Sequence, residues 1–66
     1  MDIKYSHISV QLSGEDGNAL AIIGSVSKAL RRAGVPKDKI KEFQDEATSG
    51  DYDNVLQTCM KWVNVK

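Results

Sequence analysis

Residues 5–12 read YSHISVQL and residues 62–66 read WVNVK, and whether the first stretch finds a partner in the second decides the fold. In the first, Ile8, Val10 and Leu12 alternate with His7, Ser9 and Gln11, the period-two pattern of a strand with one buried face. A lone strand leaves its backbone N–H and C=O groups unpaired. It therefore pairs with the tail, pairs with its own copy in a second chain through an exposed edge, or does not form. The tail reads two ways. Val63 and Val65 flank Asn64 in strand-like alternation, while the same residues also continue a third helix.

Working outward, Ser13-Gly-Glu-Asp-Gly-Asn18 is a turn-forming cluster, and beyond it Ala19, Ile22, Ile23, Val26, Leu30 and Ala33 recur at helical spacing. Asp16 or Asn18 is placed to cap this helix by accepting from its free N–H groups. Arg31 and Arg32 suit the negative end of its dipole, and Gly34 is able to take the left-handed conformation that closes it. After Pro36, the residues Ile40, Phe43 and Ala47 mark a short second helix that is otherwise charged or polar. Thr48-Ser-Gly-Asp51 breaks it, and Asp51 is positioned to cap a third helix with the stripe Tyr52, Val55, Leu56, Cys59, Met60 and Val63. The expected fold is one small α+β domain over residues 1–66, mostly helical, with an N-terminal strand and three helices. If the tail pairs, the order is β-α-α-α-β.

A chain of 66 residues buries only about 60% of the surface its unfolded form exposes. Chains of this size are commonly reinforced by disulfides, a metal or a partner subunit. Cys59 has no second cysteine and His7 no second histidine, so neither a disulfide nor a zinc site of about four converging ligands is expected. Self-association remains. The lone cysteine fits a reducing compartment, with cytoplasm expected. The opening MDIKY does not read as a signal peptide, and the longest apolar run, Ala19 to Ile23, falls far short of the roughly 20 residues of a membrane span.

Nine basic and nine acidic residues cancel, yet they are unevenly placed. Lys28, Arg31, Arg32, Lys37, Lys39 and Lys41 are opposed over their span by Asp38 alone, whereas residues 42–53 carry five acidic residues and no basic one. The hairpin over residues 19–47, turning at Gly34-Val-Pro36, has the outline of a helix-turn-helix, whose second helix would enter a DNA major groove. Gly34 and Ile40 fit that pattern. Leu30 does not, because a small residue usually stands four positions before the glycine. Glu42, Asp45 and Glu46 would repel phosphates. Some of these charges are placed to pair at helical spacing, such as Asp38 with Lys41 or Lys41 with Asp45.

Other constellations have simpler explanations. Gly14-Glu-Asp-Gly17 precedes a helix, but a phosphate loop needs Gly-Lys-Ser/Thr, and Glu15 and Asp16 would repel an anion. Asp51-Tyr-Asp-Asn54 opens like a calcium loop, but Leu56 stands where glycine is required. His7 and Cys59 are the one candidate base–nucleophile pair. Cys59 lies on an apolar stripe, where burial keeps a thiol protonated, and His7 faces outward. No catalytic, cofactor or metal residues are assigned, and the chain does not read as an enzyme.

The segments Gly17-Asn-Ala, Ala29-Leu-Arg-Arg-Ala-Gly34 and Ala47-Thr-Ser-Gly-Asp-Tyr52, with Trp62-Val63 near the end, resemble a group of small hypothetical proteins of bacterial and phage genomes. The resemblance covers most of the chain and implies a phage or prophage accessory role. It brings no activity and no site residues. Two functions follow from the residues themselves. The first is a protein-interaction or assembly module, joined through its edge strand or through an apolar patch at Tyr52, Met60 and Trp62. The alternative is nucleic-acid binding through Lys28, Arg31, Arg32, Lys37, Lys39 and Lys41.

Overall fold

The alternation at the N-terminus becomes a strand, β1 (Tyr5–Val10), and the tail becomes its partner, β2 (Val63–Val65). Three helices lie between them, α1 (Ala19–Arg32), α2 (Lys37–Ala47) and α3 (Tyr52–Trp62). The architecture is therefore β-α-α-α-β in an α+β, mostly helical fold. The computed structural model describes residues 3–11 and 18–66. Leu12, the turn cluster before Asn18, the Asp16 cap and the glycine-bearing loop lie outside the described residues.

The two strands run parallel, with Tyr5 opposite Val63, Ser9 opposite Asn64 and Val10 opposite Val65. A parallel pair needs a long crossover, and the three helices supply it. Four residues of β1 are thus spent against one of β2, an irregularity between Tyr5 and Ser9. The backbone closes both ends of the pair, Lys4 N donating to Lys61 O at 2.9 Å and Lys66 N to Val10 O at 2.9 Å. Ile8 and Val10 turn inward, while His7, Ser9 and Gln11 stay exposed.

Each helix starts and stops for a local reason. Asn18 Oδ1 accepts from Ala21 N at 3.2 Å and so caps α1. Gly34, at φ +86°, is the described residue with a positive φ, and it lets Val35 N return to Leu30 O at 3.0 Å. Because α1 ends at Arg32, Ala33 is exposed and drops out of the expected apolar face. Ile22, Ile23, Val26 and Leu30 are buried as their spacing requires, joined by Ser27. Asp51 Oδ1 accepts from Asn54 N at 3.0 Å and caps α3.

The buried face of α3 differs from the expected stripe. It is Val55, Thr58, Cys59 and Trp62, with Val63 following in β2, while Leu56 is half-buried and Tyr52 and Met60 are exposed. The true face also obeys helical spacing. Thr58 disguises it, because a polar residue occupies a core position. Trp62 holds the centre of this core at 1% exposure. Its ring meets Phe43 edge-on at 5.6 Å and stacks on Tyr5 at 5.9 Å, and its indole N–H donates to Glu46 Oε1 at 3.3 Å. A buried indole needs such an acceptor. The remaining core comes from every element, Ile8, Ile22, Val26, Leu30, Phe43 and Val63 among them.

Candidate functional site

α3 turns one apolar flank to solvent beside the N-terminal segment. There Leu56, Met60 and Ile3 line a groove of about 780 Å³ together with Trp62 and the polar residues Lys4, Lys61, Glu46, Asp53 and Gln57. Met60 is 52% exposed. Lys4 places its Nζ 4.1 Å from the centre of the Trp62 ring, a cation–π contact. This ammonium also faces Glu42 Oε1 at 3.9 Å.

The expected apolar patch at Tyr52, Met60 and Trp62 is corrected on two points. Trp62 is a core residue, because its ring is enclosed by Tyr5, Phe43 and Lys4. Tyr52 and Met60 are eight positions apart on α3, about 12 Å along its axis, and they border different hollows. Tyr52 faces a second one with Leu20, Ile23 and Val55. Leu20, 78% exposed, is the most exposed large apolar side chain described. The sequence reading missed Leu20 because it stands off the Ile22–Val26–Leu30 face.

The six basic residues do not form one surface with one state. Lys39 pairs with Glu42 at 3.5 Å and Lys41 with Asp45 at 3.1 Å, both within α2. The expected Asp38–Lys41 pair yields to the latter, which the i,i+4 spacing favours. Among the described residues, no ion pair involves Lys28, Arg31, Arg32 or Lys37. Lys28 and Arg32 border a third hollow, of about 520 Å³, between α1 and β1, together with His7, Ser9 and Ser25. Periodicity placed His7 and Ser9 on the outer face of β1. It contained no signal that this face adjoins Lys28 and Arg32.

Charge is separated in space as well as in sequence. The α1–α2 turn gathers cations, whereas the α2–α3 turn, which lies against the start of α1, gathers Asp45, Glu46, Asp51 and Asp53. The 11 residues of α2 separate these ends by about 16 Å.

Chemistry at the remaining candidates is limited. Cys59 is fully buried, and burial pushes its thiol up from an ordinary 9.0 to about 11, against a smaller lowering by a backbone hydrogen bond. His7 is exposed on β1, so the two do not present a joint surface. Asp51 and Asn54 are committed to helix capping and to the α2–α3 turn, where Asn54 Nδ2 donates to Glu46 O at 2.9 Å. Among the described residues, no three His, Cys, Asp or Glu side chains converge as metal ligands, and no helix is long and apolar enough to cross a membrane.

No family model, curated protein or solved structure matches the chain.

Proposed function

We propose that the chain is a protein-interaction module whose α3 groove receives an apolar anchor residue from a short segment of a partner. The carrying observation is Met60, half-exposed on a groove whose apolar lining is completed by Leu56, Ile3 and Trp62, beside the polar residues Lys4, Glu46, Asp53, Gln57 and Lys61. Its volume lies within the range of about 300–1,000 Å³ typical of binding pockets, which combine apolar walls with a few polar groups. Methionine suits such a surface, being unbranched and able to repack around different shapes. Lys4 and Lys61 beside Glu46 and Asp53 favour a partner segment with charges of both signs around its anchor.

A short segment fits better than a broad rigid partner. A standard interface covers about 800 Å² per side, about a fifth of this chain's 4374 Å² surface, and the groove is one part of one flank. This reading keeps the accessory role in a phage or prophage setting that the sequence resemblance implies. The unpaired, buried Cys59 accords with a reducing cytoplasm.

The test is selection of displayed random peptides on the folded protein, with counter-selection on Met60→Asp. Enriched peptides that share an apolar anchor, bind in high salt and lose at least tenfold in affinity for the variant support the reading. Peptides that bind both proteins equally, or no enrichment at all, overturn it.

A further inference from the structure

The hollow between β1 and α1 is independent of the α3 groove, and its residues have a different chemistry. His7 and Ser9 reach it from the outer face of β1, Lys28 and Arg32 from α1, and Ser25 completes its border. Lys28 and Arg32 are four residues apart on one helix face, with Cβ atoms about 5–6 Å apart, a spacing at which like charges weaken a helix. No carboxylate relieves them among the described residues. Arg32 gains from the dipole at the last turn of α1, but Lys28 stands a turn earlier, where that gain fades. Helix stability therefore does not account for the pair, whereas an anion between the two ammonium and guanidinium groups would relieve it.

We propose that this hollow binds the phosphate backbone of a nucleic acid. Lys28 and Arg32 are the charged contacts, and His7 and Ser9 are hydrogen-bond donors, the mixture of side chains that commonly contacts phosphate oxygens. Arg31, next to Arg32, and Lys37, beyond the turn at Gly34, are likewise without an ion pair among the described residues. A polymer of phosphates would draw on all four cations, one phosphate group on Lys28 and Arg32 alone. The arrangement differs from a helix-turn-helix. Lys39 and Lys41 of α2 are held by Glu42 and Asp45, and no recognition helix enters a groove. Contacts to phosphates carry no sequence information directly, so binding is sequence-tolerant.

The test is an amide NMR titration of the whole chain with a mixed-sequence DNA duplex of about 20 base pairs at low salt, repeated toward physiological salt and with inorganic phosphate. Shifts at His7, Ser9, Lys28 and Arg32 that fade with salt are expected. The double variant Lys28→Ala/Arg32→Ala should lose about tenfold in affinity and reduce the slope of log affinity against log salt by about two. Lys39→Ala/Lys41→Ala should bind as the parent does. Circular dichroism of each exposed-site variant separates lost binding from lost fold. Absence of shifts with DNA at low salt overturns the proposal, as do shifts centred on α2 or an unchanged slope in the Lys28/Arg32 variant. Binding of inorganic phosphate without binding of DNA overturns it too.

Discussion

α1 and α2 lie next to each other in sequence and pack together, yet they are stabilised in opposite ways. α1 is capped by Asn18, ends in Arg31 and Arg32, and closes at Gly34 with φ +86°. α2 begins after Pro36 with no side-chain cap, carries Lys37 and Lys39 around Asp38 in its first turn, and has no basic residue in its last. Most of its charges therefore oppose its dipole. The pairs Lys39–Glu42 and Lys41–Asp45 are at least half exposed, and exposed helical pairs contribute only about 0.3–0.5 kcal/mol each. Its packing holds it. Ile40, Phe43 and Ala47 are buried, and Gln44 Nε2 donates to the buried Ser27 Oγ of α1 at 3.0 Å. A helix that breaks local rules while the core supports it is free to place charge for other purposes, and here that charge follows Arg31 and Arg32, which form no ion pair among the described residues.

The strongest way to break this comparison is Phe43→Ala, which removes the α2 ring packed edge-on against Trp62. A loss of about 3–5 kcal/mol is expected, enough to unfold much of a chain this small, as followed by urea denaturation. A loss below about 1 kcal/mol would show that α2 does not depend on the core. Leu30→Ala, in α1, should cost about 2–5 kcal/mol by the same mechanism, since Leu30 is fully buried.

Local features should matter less and only in α1. Asn18→Ala is expected to cost about 1 kcal/mol by loss of the cap. Gly34→Ala should cost about 1–2 kcal/mol from its backbone alone, because an added Cβ meets nothing within 4 Å. Thermal denaturation of both variants checks these values, and neutrality of either would remove that feature from the account of α1.

The smallest effects are the most diagnostic, because the same loss of charge should act with opposite sign. Arg31→Gln is expected to destabilise by about 0.3–1 kcal/mol and Lys37→Gln to stabilise by a similar amount at low ionic strength. Both differences should shrink in about 1 M salt, where the Debye length is about 3 Å. Equal signs in urea titrations would mean that the dipole argument does not separate the two helices.

Much of this fold was legible because its signals are local. Alternation at Ile8 and Val10, helical spacing from Ile22 to Leu30, a cap for α1 at Asp16 or Asn18, and the cap Asp51 each lie within a few residues of what they organise. Legibility failed where a position's role depends on a distant neighbour. Thr58 looks polar and is core; Met60 looks like core and is exposed. Trp62 reads as an interface anchor until Tyr5, Phe43 and Lys4 enclose it.

By itself the amino-acid sequence determined the helices, the starts of α1 and α3, the close of α1 at Gly34, the inward face of β1 and the segregation of charge along the chain, since these follow from periodicity, capping and backbone preference within a turn or two. Tertiary structure alone decided that residues 63–65 leave α3 to lie parallel to β1, and that His7 and Ser9 adjoin Lys28 and Arg32. Both outcomes join segments far apart in the chain. The first is selected because the unpaired backbone of β1 needs a partner, and the second because packing β1 against α1 brings their exposed margins together.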